Sequence, residues 1–230
     1  MPHYVFTTEK DEPKVGVWDE KLGIFSAEYI EGLEFDRVKR ELEFQTRKFG
    51  PIAYLQSKVT DLPFDSWYLR CIGKNEDQKA LLSVKTKRIT VNFEISPLTV
   101  RLVEMEQPEL RHLLGVEMHA GVLLMELQKC GINMIPEDAD CERGGIHLKD
   151  KGAEERAILD IAQTLKVFAF QSVKQSQDAS PENIVVRLRE NPDNDRVFLE
   201  DDESDWKTVM WWNNKVSYIK SKNSDEKFDP

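Results

Sequence analysis

Alternation of apolar and polar residues over the first hundred positions constrains this chain more than any other feature. Val15 and Val17 alternate ahead of Trp18. Val38, Leu42 and Phe44 fall on one side of a run whose other side carries Lys39, Glu41 and Glu43. Leu82, Val84 and Thr86 repeat the pattern, and Ile89, Val91, Phe93 and Ile95 oppose Thr90, Asn92 and Glu94. Leu98, Val100 and Leu102 continue it after Pro97. A period of two with one polar side is the pattern of antiparallel strands buried on one face. Turn chemistry separates the runs at Gly50-Pro51, Leu62-Pro63, Gly73-Lys74-Asn75 and Ser96-Pro97. Short strands at this spacing predict a sandwich-like antiparallel β part over residues 1–107. Ser26, ahead of Glu28 and Glu31, predicts the cap of a short helix.

The period changes after Pro108. Leu113, Val116, Ala120, Leu124 and Leu127 recur at three- and four-residue steps and predict a helix ending near Cys130-Gly131, where glycine suits a left-handed cap. Ile132, Met134 and Ile135 read as a short strand stopped by Pro136, followed by an acidic loop, EDADCERGG. Asp150 predicts the cap of a second helix with the stripe Ile158, Ile161, Leu165, Phe168 and Val173. Ile184, Val186 and Leu188 alternate as a strand, and Trp206 to Ile219 predicts a hairpin turning at Asn213-Asn214. The expected class is α+β: the β part, then a smaller α+β part over 108–230, with two main helices and a short sheet, packed against it.

The chain has 230 residues, 40% of them hydrophobic and 32% charged, which supports a sizeable core. A net charge of −10 argues against non-specific nucleic-acid binding, which needs clustered lysine and arginine. No apolar run approaches the length of a membrane span, and the N-terminus lacks the pattern of a secretory signal. Three cysteines without CxxC spacing, and no Asn-x-Ser/Thr site, predict a reducing compartment such as the cytoplasm. The strand-like start and polar end, KSKNSDEKFDP, read as boundaries of a piece of a longer chain.

Catalytic signatures are missing. No GxxxxGK[ST], GxGxxG, GxSxG or HExxH occurs, and Arg143-Gly144-Gly145 reads as a turn. His112 and His119 are seven apart, about 10 Å along a helix axis, too far to share a metal without other ligands. Cys130, Cys141 and His147 match no common ligand spacing. Asp201 and Asp202 lie in an acidic run where water would level their acidities. The reading is therefore a chain with no catalytic residue, cofactor or metal. The competing enzyme reading would place a pocket around His112, Glu117 and His119.

Binding candidates are few. Basic groups occur at Arg37, Lys39 and Arg40, at Arg47 and Lys48, and at Lys85, Lys87 and Arg88. On alternating strands such groups protect edges, and two meeting on one face would form a patch for an acidic surface such as a tubulin tail. Of these, Lys85, Lys87 and Arg88 are the leading candidates for partner binding. Adjacent Trp211 and Trp212 point to opposite faces of a strand, so one packs inward and the other is a candidate contact. Residues 190–205 hold eight carboxylates and one arginine, a solvated connection or a docking surface for a basic partner.

Several stretches in order resemble a known family. They are VGVWD (15–19), EYIEGLEFDRVKRELEF (28–44), FGPIAYLQ (49–56), LPFDSWYL (62–69), GVLLMELQKCGINMIP (121–136), AQTLKVFAFQS (162–172) and NIVVRLREN (183–191). Together they are similar to the C-terminal region of the axonemal dynein intermediate chain 7 family, also called cancer susceptibility candidate 1. These are packing patterns and bring no catalytic or ligand residues with them. The resemblance implies a non-catalytic structural or adaptor module in the cilium or flagellum axoneme, with axonemal dynein subunits as partners and an association with tubulin or microtubules. The alternative is a protein-interaction domain of another cytoskeletal or trafficking assembly.

Overall fold

A computed structural model of the chain describes residues 1–8, 12–73, 78–174, 176, 179–191, 205–213 and 215–219. Its centre is an eight-stranded antiparallel sheet. The N-terminal region contributes two smaller sheets first. Strands β1 (Lys14–Asp19), β2 (Ile24–Ser26) and β5 (Ile52–Leu55) form one, in the order β2-β1-β5, and β3 (Ile30–Asp36) pairs with β4 (Glu41–Thr46) as a separate ribbon. Val15 and Val17 are buried in β1, as their alternation requires. Between them Gly16 sits so close to its neighbours that a Cβ there would lie 2.8 Å from Leu55 Cδ1 and 3.1 Å from Phe25 Cβ, so glycine lets β2 and β5 flank the strand. The turn at Ser26 forms as expected, its Oγ accepting a hydrogen bond from the Glu28 amide at 3.2 Å.

The main sheet is two four-stranded meanders joined side by side. The first comprises β6 (Ser66–Ile72), β7 (Lys79–Lys85), β8 (Thr90–Ile95) and β9 (Val100–Leu102). Three helices follow: α1 (Ala120–Lys129), α2 (Asp138–Arg143) and α3 (Lys151–Thr164). The second meander is β10 (Phe168–Ser172), β11 (Ile184–Glu190), β12 (Lys207–Trp212) and β13 (Lys215–Ile219). Strands β6 and β10 join them antiparallel, with Leu69 opposite Phe170 and Tyr68 opposite Gln171, giving the order β13-β12-β11-β10-β6-β7-β8-β9. The α+β class is as the sequence indicates. Of the strands expected in the N-terminal part, only β6–β9 share this sheet with the strands expected as a separate short one, and position 107/108 falls between its two meanders.

Because opposed residues share a face, one register line runs through Leu102, Phe93, Leu82, Leu69, Phe170, Leu188 and Lys207. The face it marks carries the core. Val84, Val91, Phe93, Val100 and Leu102 pack there with Leu110, Leu113, Leu123, Leu127, Cys130 and Ile132 at one end. Phe170, Val186, Val209 and Trp211 pack with Ala157 at the other, and Trp67 touches both clusters. The opposite face is not simply solvated. Asn92, Arg70, Leu81, Ala169 and Val185 on it are buried, which the expected polar face at Thr90, Asn92 and Glu94 does not anticipate.

The helices depart from the sequence reading in three places. The helix expected from Leu113 starts only at Ala120, because Gly115 turns left-handed (φ +74°) and its amide donates to Leu102 O on β9 at 2.9 Å. The helix ends as expected, with Gly131 left-handed at φ +86°. Residues 132–135 form no strand: the amides of Ile132 and Asn133 go to Leu127 O and to the Asp61 carboxylate. The acidic loop contains α2, with Asp138 and Asp140 in its first turn, where the helix dipole favours negative charge. Asp150 caps α3 as expected, its Oδ1 accepting from the Ala153 amide at 2.8 Å. The helix stops at Thr164, however, and Phe168 belongs to β10. Its buried residues are Ala153 and Ala157, while Ile158 is exposed.

Candidate partner-binding surfaces

Lys85, Lys87 and Arg88 lie at the turn between β7 and β8. Thr86 builds this turn: its amide donates to Ile89 O at 2.8 Å, and its Oγ1 accepts from the amides of Arg88 and Ile89 at 3.1 Å each. The three basic side chains then part company. Lys85 and Lys87 are exposed, whereas the Arg88 side chain is only 7% exposed. Arg88 Nε and Nη2 donate to the two carboxylate oxygens of Asp61 at 2.8 and 2.7 Å. Nη2 also donates to Gly131 O at 2.6 Å, and the guanidinium lies 5.3 Å from the Phe6 ring centroid.

Asp61 is fully buried and is the hub of this arrangement. Besides Arg88 it accepts from Thr86 Oγ1 and from the Asn133 amide, both at 3.3 Å. One carboxylate thus holds the β7–β8 turn and the chain after α1, and through Arg88 it reaches the N-terminal segment. Both members of this ion pair are desolvated, so removing either strands a charge in the interior. Arg88 is accordingly structural, and the exposed candidates at this turn reduce to Lys85 and Lys87.

Those two lysines line a cleft of about 750 Å³. The same cleft is lined by Asp65, Glu104 and Glu106, all exposed, so its walls are of mixed sign. Glu104 adopts a left-handed backbone (φ +54°) at its rim. Most of the remaining basic residues meet carboxylates, whereas Arg37 donates to Thr8 O and lies 5.4 Å from the Phe35 ring centroid. Lys39 pairs with Asp36 at 3.5 Å, Arg47 pairs with Glu31, and Lys48 lies 3.7 Å from Asp19. Arg40 pairs with Glu109 at 3.1 Å and donates to the carbonyls of Pro2 and Val5, tying the N-terminal segment down. The β3–β4 ribbon sets Glu34 opposite Glu43 and Asp36 opposite Glu41, two like-charge pairs that weaken it.

Trp211 and Trp212 separate as alternation predicts. Trp211 is buried, and its Nε1 donates to Asp160 Oδ2 of α3 at 2.8 Å. Trp212, on the opposite face, is 52% exposed beside the hairpin turn at Asn213, which is left-handed at φ +47°. Register places Val216 opposite Trp211 and Tyr218 opposite Val209, both on the α3 side, and both are exposed. Sequence reasoning missed these two. The hairpin's alternation was visible, but where the helical layer stops is a tertiary fact.

The titratable groups weighed for chemistry do not converge. His119 caps α1, its Nδ1 accepting from the Gly121 amide at 3.3 Å, whereas His112 lies in the preceding turn with Nδ1 3.0 Å from Glu109 O. Neither lines the cleft at Lys85 nor a second one of about 570 Å³ between the N-terminal segment, β5 and α1. The buried Cys130 thiol sits 3.9 Å from His112 Nε2, and burial pushes its pKa up to about 11. Burial likewise raises Cys71 and Cys141, which keeps all three thiols protonated near neutrality. Burial pushes Glu94 up, but hydrogen bonds from Lys79 and Arg101 outweigh it and hold the carboxyl below its ordinary value. Among the described residues no group of three His, Cys, Asp or Glu is placed to hold a metal, and no helix is long and apolar enough to cross a membrane. Asp201, Asp202 and nearly all of the acidic run lie outside the described residues.

No family model matches the chain. It is 25% identical over 230 residues to "Dynein axonemal intermediate chain 7" of Danio rerio, covering 100% of this chain and 30% of that protein. The "Dynein axonemal intermediate chain 7 homolog" of Ciona intestinalis is 27% identical over 199 residues, 83% of this chain and 26% of its own length. The Mus musculus protein of the same name is 24% identical over 224 residues, 95% of this chain and 29% of its own. The chain spans less than a third of the length of these curated relatives. Along that span it is similar to proteins named dynein axonemal intermediate chain 7.

Proposed function

We propose that this chain is a non-catalytic adaptor module of an axonemal dynein-associated protein, making protein–protein contacts in the axoneme of cilia or flagella. The observation that carries the reading is similarity over the whole chain to relatives named as axonemal dynein intermediate chains. The geometry supports it. Three polar groups suited to acid–base work are committed to structure: Asp61 to Arg88, His119 to the start of α1, and Asp160 to Trp211. What remains exposed is suited to recognition, namely Lys85 and Lys87 at a cleft of mixed sign and Trp212 at a hairpin. Parts 1–107 and 108–230 act together in this proposal, because β6 and β10 are hydrogen-bonded in one sheet.

A cleft that sets two lysines among three carboxylates suits a folded dynein subunit of mixed surface charge better than a uniformly acidic tail. The test is capture from demembranated ciliary extract with this chain as bait. Wild type is compared with the Lys85→Glu/Lys87→Glu double variant and with Trp212→Ala. Retention of axonemal dynein chains, reduced by either variant, supports the adaptor reading. Retention of tubulin without dynein chains replaces it with a direct microtubule contact, and retention of neither overturns it.

A further inference from the structure

The two edges of the eight-stranded sheet are finished differently. At β9 the chain folds back over its own edge. Val100 N donates to Met118 O at 2.9 Å, Met118 N returns a bond to Val100 O at 3.0 Å, and Gly115 N donates to Leu102 O at 2.9 Å. Strand β13, five residues long, pairs with β12 on one side. Among the described residues, nothing pairs with its other side. Within the strand there is no proline, its pairing with β12 runs without a bulge, and its one charge is Lys215 at the start.

The side chains on this edge point to the same conclusion. Helix α3 covers β12, burying Val209 and Trp211. The helix layer does not extend over β13, where Val216 is 52% exposed and Tyr218 is 69% exposed on that same face. Strand β13 carries no carboxylate, while Lys207 and Lys215 are exposed near opposite ends of the hairpin. Arg156 of α3 lines a small cleft next to Val216, together with Glu182 and the Asp160 that binds Trp211.

We propose that the free edge of β13 is a strand-addition site. Its occupant is an extended segment of a partner protein, with apolar residues at alternate positions and carboxylates flanking them. Backbone groups of the segment satisfy those of β13, its apolar side chains continue the surface of Val216 and Tyr218, and a carboxylate on its other face meets Lys215, which lies on the Trp212 side of the edge strand. A second copy of this chain fits less well, because it brings more lysine and no carboxylate on its own β13. The proposal stands apart from the dynein reading: failure to capture dynein chains leaves it untouched.

The test uses a seven-residue probe, Glu-Val-Thr-Val-Thr-Val-Glu, titrated into the full isotope-labelled chain while backbone amide signals are followed. Shifts and slowed exchange concentrated at 215–219 are expected. Affinity should fall at least about tenfold when lysines replace the probe's glutamates, from lost charge complementarity. It should fall similarly in Val216→Lys and Tyr218→Lys, whose exposed positions leave the fold intact, because charge on an edge opposes strand addition. Three results overturn the proposal. One is no response at 215–219. Another is a response that survives both variants. The third is a wild-type dimer in light scattering that Val216→Lys dissolves, which assigns the edge to a second copy.

Discussion

The two ends of the sheet bury the same face by different means. At the β6–β9 end, α1 inserts Leu123 and Leu127 beside Leu110, Leu113 and Ile132, and the chain closes the strand edge. At the β10–β13 end, α3 fully buries only Ala153 and Ala157, with Ile161 and Leu165 packed at the margin, so most of the bulk comes from the sheet, from Phe170 and Trp211. Large residues on the helix demand that surrounding segments fold around them, as 110–118 and 130–134 do. Small residues let a helix lie close and alone, and its cover ends where its own width ends. Cohesion is concentrated at the first end and accessibility at the second.

Breaking the closed end should have the largest effect. Asp61→Ala leaves the Arg88 guanidinium buried without its carboxylate and releases the Asn133 amide, with an expected loss of about 3–5 kcal/mol. Urea unfolding measures it, and a loss under about 1 kcal/mol would mean that the hub is not structural. Leu127→Ala in the same end should cost about 2–5 kcal/mol, because the packed surroundings cannot collapse into the cavity. At the open end the sensitive change runs the other way. Ala157→Leu should overpack the α3–sheet contact and cost about 1–3 kcal/mol, and a neutral result would show that α3 does not lie close.

The smallest expected effect is a pH dependence at the closed end. The folded state keeps the Cys130 thiol protonated to about pH 11, whereas an unfolded chain ionises it near 9.0. The folded form therefore holds the extra proton between those values, and stability falls as pH rises through them. By pH 10 the loss is about 1 kcal/mol, from one pH unit of differential ionisation. Unfolding curves between pH 8 and 10 should fall more steeply in wild type than in Cys130→Ala, where only the thiols of Cys71 and Cys141, also raised by burial, remain.

Much of this was legible in the sequence because the governing signals are local. Alternation located β1, β8 and β11, Asp150 marked the start of α3, Gly131 marked the end of α1, and adjacency separated the roles of Trp211 and Trp212. What was not legible depended on partners distant in sequence. Arg88 resembles its neighbours Lys85 and Lys87 until Asp61, 27 positions earlier, is seen beneath it. Ile158 looks like part of a core stripe until the sheet is found against Ala153 and Ala157. The joining of two meanders through β6 and β10 likewise has no local signature.

Amide hydrogen exchange across the eight strands tests the central claim, that a returning segment closes the β9 edge while no described residue pairs with the outer side of β13. The account predicts that β8, β9 and the amides of Gly115 and Met118 exchange slowly and together, near the limit set by global unfolding, while β13 exchanges through local opening at a much lower free energy. Equal protection at both edges, or slower exchange at β13 than at β9, would contradict it.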